Sequence, residues 1–151
     1  MPRDDDLGPQ LSARLAYLLK RAQLGLEDLH DELLAPLGVN HRELALLLFL
    51  DTREPESQQQ AARRLGVDRT TMVALIDALE ARGLVARRPD ATDRRRNVVE
   101  LTPAGRETLR SATEASDEAE RRLLSGLDDA EAAQLRALLS RAVVPERDGP
   151  R

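Results

Sequence analysis

From Leu11 the apolar residues recur in steps of three and four: Leu11, Leu15, Leu18, Ala22, Leu26, Leu29, Leu33. That spacing lines one face of a long helix, which Pro36 and Gly38 bring to an end. Asn40 and Glu43 have the spacing of a capping box and predict a second helix, NHRELALLLFLD. Its LALLLFL run is apolar on nearly every side, so this helix belongs at the centre of the core. Residues 52–56, with Pro55, read as a short turn. Ser57 and Gln60 repeat the capping box ahead of QQQAARRL, a brief helix that stops at Gly66. Asp68 is then placed to cap RTTMVALIDALEAR, and Gly83 to close it in the left-handed conformation. Residues 84–88 and 97–101 read as short strands on either side of the polar loop 89–96. Thr102 and Pro103 open a long charged helix to about Ser125, and Gly126 breaks it. Asp128 opens a last helix carrying Leu135, Leu138, Leu139 and Ala142, and the segment from Pro145 is expected to be disordered.

Composition narrows the chemistry. At 151 residues the chain fits one domain, and with 1% aromatics (Tyr17 and Phe49) its core must be built from Leu, Ala and Val. It has no cysteine, which excludes disulfides, zinc–cysteine sites and thiol catalysis. No apolar run approaches the ~20 residues of a membrane span. The start, MPRDDDLGPQ, lacks the apolar centre of a signal peptide, so a cytoplasmic location and no membrane partner are expected. Glycine-rich phosphate loops, nucleophile elbows and paired carboxylates in apolar settings are missing from the sequence, which argues against an enzyme.

Charge is spread unevenly. Residues 82–96 hold six arginines against Asp90 and Asp93, in a chain whose net charge is −4. The arginines Arg94, Arg95 and Arg96 stand together in the loop between the two strands. Just before them, the two helices flanking residues 66–68 have helix-turn-helix spacing. In the second of these helices Met72, Leu75, Ile76 and Leu79 face the core at i, i+3, i+4 and i+7, leaving Arg69, Thr70, Val73, Ala74 and Asp77 on the other face. That face is polar at its start and small in its middle, as entry into a major groove about 12 Å wide requires. Arg69 can reach guanine or phosphate, Thr70 and Thr71 can bond phosphates or base edges, and the methyls of Val73 and Ala74 can meet thymine. An arginine-tipped hairpin directly after such a helix makes a winged helix-turn-helix, whose tip can enter the narrow, negative minor groove. The acidic remainder of the chain resists indiscriminate binding to nucleic acid. An amphipathic helical hairpin and a solvated arginine loop are the plainer readings of the two parts taken separately.

The residues DRTTMVALIDALEARGLVARRPDATDRRRNVVELTPAGRE resemble the MarR family of bacterial transcriptional regulators. The likeness is most specific at Leu79-Glu80-x-x-Gly83-Leu84-Val85, Asp93-x-Arg95 and Leu101-Thr102-x-x-Gly105, and runs more loosely over nearly the whole chain. It implies a mainly α fold with a small β-hairpin wing: residues 1–151 as one domain, with 36–101 as the winged helix-turn-helix, 10–35 and 102–144 as dimerisation helices and 145–151 as a tail. It implies an obligate homodimer reading a pseudo-palindromic operator in double-stranded DNA. By motif, Arg95 would enter the minor groove with Asp93 orienting it, flanked by Arg94 and Arg96. Arg69, Thr70 and Thr71 would sit at the reading end of the recognition helix, and Arg87 would support the wing. Two positions depart from the pattern: Ala61 replaces a usual Leu, which implies looser packing, and Arg96 replaces a small residue, which implies an added phosphate contact or a more mobile tip. The leucine stripes of the first and last helices are independently long for one protomer to cover.

The resemblance also implies control by a small aromatic or anionic effector, or by pH, with Tyr17, Arg21, His30 and His41 as candidate contacts in a cleft between the dimerisation helices and the winged part; a surface or capping role is the plainer reading of the two histidines. Two histidines without cysteine make a poor zinc site, and neither a metal nor a cofactor is predicted. The resulting reading is a dimeric, ligand-relieved repressor. The alternative is a helical dimeric interaction module whose arginine wing binds an acidic protein.

Overall fold

The computed structural model describes residues 8–51 and 54–143. The elements in order are α1 (Pro9–Ser12), α2 (Leu15–Leu34), a 3-10 turn (Ala35–Leu37), α3 (His41–Asp51), β1 (Glu56–Ser57), α4 (Gln58–Leu65), α5 (Arg69–Ala81), β2 (Val85–Pro89), β3 (Asn97–Leu101), α6 (Pro103–Leu123) and α7 (Asp129–Val143). The mainly α fold with a hairpin wing stands as expected. The turn at residues 52–56 lies partly, and the segment from Pro145 wholly, outside the described residues.

Side-chain caps set the helix starts. The Asn40 carboxamide accepts from Glu43 N at 3.0 Å while Glu43 Oε2 accepts from Asn40 N at 3.0 Å. Ser57 and Gln60 make the same reciprocal pair ahead of α4. Asp68 accepts from Thr71 N, and Thr102 accepts from Gly105 N with proline next in line. Asp128 and Glu131 form a further box before α7. Gly38, Gly66 and Gly83 follow their helices with φ of 71°, 65° and 71°, the left-handed region where a Cβ is costly.

Three expectations change. The first helix is interrupted at Ala13 and Arg14, giving α1 and α2 rather than one rod. The hairpin is part of a three-stranded antiparallel sheet of order β1-β3-β2. Strand β1 pairs Glu56 with Val99 and Ser57 with Val98, so the residue that caps α4 also ties the first helix of the motif to the wing. The charged helix ends at Leu123, just short of the expected Ser125.

The core lies beneath the wing. Leu44, Leu46, Leu47 and Leu50 of α3 pack with Met72, Ile76 and Leu79 of α5 and with Val85, Val99 and Leu101 of the sheet. Leu109 and Ala112 of α6 close it from the far side. Ala61 is 1% exposed, so the short side chain is fully enclosed. Helix α2 lies along α6, with Leu123 Cδ1 only 3.1 Å from where a Cβ on Gly25 would stand. The outer helices are different: Leu11, Leu15 and Leu18 are 47%, 68% and 51% exposed, Leu138 is 52% exposed, and α7 buries no residue. No single helix among the described residues is long and apolar enough to cross a membrane; α2 and α3 qualify only as a pair bent by 73°, and α3 forms the core.

Candidate nucleic-acid interface

Helix α5 presents the expected faces. Met72, Ile76 and Leu79 are buried and Leu75 half-buried, while Arg69, Thr70, Ala74 and Asp77 are exposed and Val73 is half-buried. Its first turn is fixed by Asp68, which receives Thr71 N at 2.9 Å and the Thr71 hydroxyl at 2.5 Å. The Thr71 side-chain hydrogen bond, followed by its backbone amide, holds the Asp68 carboxyl below its ordinary pKa, so the cap stays charged. The Thr71 hydroxyl proton is thereby committed to the cap, whereas Thr70 projects to solvent.

The wing tip is shaped by two aspartates acting on the backbone. Asp93 Oδ1 accepts from the amide of Arg95 at 3.1 Å, and the Asp93 carbonyl accepts from Arg96 N at 2.9 Å. Asp90 N donates to the Arg96 carbonyl at 2.8 Å, closing the loop, and its carboxylate receives the amide and hydroxyl of Thr92, both at 2.8 Å. Arg94, Arg95 and Arg96 are exposed on the loop that these Asx turns shape, and the Thr92 hydrogen bonds, helped by the Arg96 charge, hold the Asp90 carboxyl below its ordinary pKa. Asp93 orients Arg95 through its main chain.

Between wing and recognition helix runs a cleft of about 420 Å³. Arg69 and Val73 line one wall, Arg95, Arg96 and Asn97 the other, and Gln58 and Gln59 close the end. The two glutamines and Asn97 were not singled out by the sequence; the signal available was their position, the exposed first turn after the Ser57 cap and the root of the arginine loop. Arg87 spans the floor. Its amide and guanidinium donate to Glu80, and its second guanidinium nitrogen to Asp77. Support of the wing was expected of Arg87; the neutralisation of Asp77, the one acid on the reading face, was not.

The four effector candidates fall into two pairs. Arg21 Nη1 donates to the Tyr17 hydroxyl at 3.3 Å, with its guanidinium carbon 5.9 Å from the ring centre. The rings of His30 and His41 stack with centroids 6.5 Å apart and planes 13° from parallel. His30 Nε2 lies 2.9 Å from the Ser116 hydroxyl, and His41 Nδ1 is buried without a hydrogen-bond partner. Burial, and then the neighbouring His41, lower the pKa of His30 from 6.5, opposed by Glu120 and Asp31. Along α2, Arg21 and Tyr17 stand about 14 and 20 Å from His30, so one protomer does not bring the pairs together. His41 also lines a cleft of about 400 Å³ with Arg42, Ala45 and the residues of the α4–α5 turn. No group of three or more metal-ligating side chains occurs among the described residues.

A capped recognition helix, a sheet-borne arginine wing and a cationic cleft between them define a winged helix-turn-helix DNA-binding protein. The sequence model of the MarR family matches residues 37–96. The transcriptional repressor MprA of Escherichia coli (strain K12) is 32% identical over 147 residues, covering 93% of this chain and 84% of its own length. A structure of the transcriptional repressor CouR bound to a 23-mer DNA duplex matches with a TM-score of 0.83 at 34% identity, covering 90% of this chain and 96% of that one. CouR from Rhodococcus jostii RHA1 bound to p-coumaroyl-CoA matches with a TM-score of 0.78 at 30% identity, covering 91% and 97%. The chain belongs to the MarR family: it is a DNA-binding transcriptional regulator and not an enzyme.

Proposed function

We propose that the protein is a homodimeric repressor of a pseudo-palindromic operator, released by a small aromatic or anionic effector. The observation that carries the reading is the convergence of Arg69 from the helix with Arg95 and Arg96 from the wing on one cleft. In this reading Arg69, Thr70, Val73 and Ala74 meet the major groove, with Thr71 holding the first turn in place. Arg95 enters the minor groove, and Arg94 and Arg96 contact phosphates, with Asp93 setting the tip. Dimerisation uses residues 10–35 and 102–144, and the exposed leucines of α1, α2 and α7 support it, since isolated chains rarely leave such a stripe in water. An effector role is supported by CouR, which has been solved with p-coumaroyl-CoA. The His30–His41 pair, at the junction of dimerisation and winged parts, is where such a ligand would act on both; Tyr17 and Arg21 form a second, separate candidate.

Selection of bound duplexes from a random pool tests this. A palindromic winner bound by a dimer, with half-sites about one helical turn apart, and released by some member of a panel of aromatic acids and their thioesters, is the expected result. No enrichment of any sequence, together with capture of acidic proteins, would replace it with the interaction-module reading.

A further inference from the structure

Arg82 closes the recognition helix at its C-cap, where a cation is favoured by the carbonyl end of the helix. Its side chain leaves that helix almost at once. Nε donates to the Ala78 carbonyl at 3.0 Å, Nη1 to the carbonyl of Gly38, and Nη2 to Glu43 Oε1 at 2.5 Å. Of the distant partners, Gly38 lies in the segment that joins α2 to α3 and Glu43 in the first turn of α3. Gly38 holds the left-handed turn where the chain leaves the outer helix, and Glu43, 6% exposed, caps α3 through its other oxygen. A single guanidinium thus ties the end of the DNA-reading helix to the junction at which the outer helix α2 gives way to α3. In a planar fork with fixed donor directions, two such acceptors set the angle as well as the distance between the parts they belong to. No helix-turn-helix contact requires this. Packing of Met72, Ile76 and Leu79 already holds α5 to the core.

We propose that Arg82 is a positioning residue: with Glu43 and the Gly38 carbonyl it fixes the orientation of the recognition helix relative to the outer helices, and so sets which half-site spacing the dimer accepts. The inference rests on the homodimeric operator-binding reading above. Two recognition helices meet successive major grooves only if each is held rigidly to the shared outer helices. Apolar packing of Met72, Ile76 and Leu79 is non-directional, and a fork anchored at that junction adds a contact that fixes direction.

The test compares wild type with Arg82→Met, Arg82→Lys and Glu43→Gln. The last keeps the α3 capping box, since Gln serves at that position as Glu does, and removes only the charge that holds the fork. One readout is binding to a set of duplexes carrying the selected half-sites at altered spacings. Arg82→Met is expected to lose about tenfold at the native spacing, the scale of one charge-assisted hydrogen bond, while gaining relative affinity for neighbouring spacings. Arg82→Lys should recover only part of the discrimination, and Glu43→Gln combined with Arg82→Met should be no worse than Arg82→Met alone. The second readout needs no DNA. Because the chain has no cysteine, Ala91→Cys, in the exposed wing loop, carries the sole spin label, and the label-to-label distance distribution in the dimer should broaden in Arg82→Met. An unchanged distribution and unchanged spacing preference would overturn the proposal. So would an affinity loss equal at all spacings that tracks the unfolded fraction, because that would make Arg82 merely structural. If wild type selects no operator and forms no dimer, the parent reading fails and this one with it.

Discussion

Gly105 is the second residue after Pro103 in the first turn of α6, and replacing it with alanine should unfold the protein more readily than any comparable surface change. A Cβ built there would lie 1.9 Å from the Leu84 carbonyl oxygen and 2.9 Å from its carbon. These are backbone atoms, so no rotamer change relieves the contact. The helix start must retreat from the hairpin root by about 1 Å in an interior packed like a crystal. The same carbonyl accepts from Thr102 N at 3.1 Å, and the Thr102 hydroxyl donates to the Gly83 carbonyl at 2.6 Å, so the retreat stretches both bonds. Overpacking of this kind costs about 1–3 kcal/mol, and a weakened hydrogen bond about 1 kcal/mol more. Against these, alanine gains about 1 kcal/mol over glycine in a helix. The net is a loss of about 2 kcal/mol, which moves a urea midpoint down by roughly 1 M for a slope of about 2 kcal/mol/M. Chemical denaturation at one fixed protein concentration measures it, since a dimer's midpoint depends on concentration. Gly126→Ala is the control: nothing lies within 4 Å of its added Cβ, and its midpoint should stay within a few tenths molar of wild type. A Gly105→Ala protein as stable as wild type would refute the close approach of α6 to Leu84.

The remaining predictions concern the interface and its control. Arg95→Ala should weaken operator binding by about 1–3 kcal/mol with an unchanged melting temperature, because the wing tip is exposed and buries little; electrophoretic titration beside a thermal melt separates the two effects. Arg87→Met leaves Asp77 unpaired on the reading face and should lower DNA affinity about three- to tenfold; Asp77→Asn in the same chain should recover part of that loss, and no recovery would mean Arg87 acts only through the hairpin. His30 has its pKa lowered from 6.5 by burial and then by His41, so the folded state binds fewer protons than the unfolded one. Stability from this group is therefore full above pH 6.5 and is lost as pH falls from there through the lowered value. Denaturation midpoints measured from about pH 7.5 to pH 5 should decline in wild type and decline less in His30→Gln; equal slopes would show that other groups carry the dependence.

Local signals were legible because they need only a few neighbouring residues. The Asn40–Glu43 and Ser57–Gln60 boxes, the Asp68 cap and the Thr102–Pro103 start all appear in the structure as the spacing predicted. The left-handed glycine at the end of the recognition helix does too. Strand β1 escaped because it is two residues long, too short for alternation to show, and because Ser57 already had a role as a cap. The break at Ala13 and Arg14 escaped because neither residue interrupts the leucine spacing or forbids helix. Pairings across the fold were out of reach for a different reason. Arg82 meets Glu43 from 39 residues away and His30 meets Ser116 from 86, and charge or hydroxyl content along the chain does not say which partner the fold brings near. The same limit kept Gln58 and Gln59 out of the candidate interface, although the helix they begin was correctly placed.

The claim that the wing and recognition helix together hold DNA is tested most directly by titrating the selected duplex at a series of salt concentrations. Each phosphate neutralised by an arginine releases counterions, so the logarithm of affinity should fall linearly with the logarithm of salt, with a slope of about −5 or steeper for a dimer using Arg69 and the wing arginines of both protomers. Removing Arg94 and Arg95 should flatten that slope by about two to four. A shallow slope in wild type, or a steep one that the wing substitutions leave unchanged, would contradict the account, because the positive charges of the cleft would then not be on the phosphates.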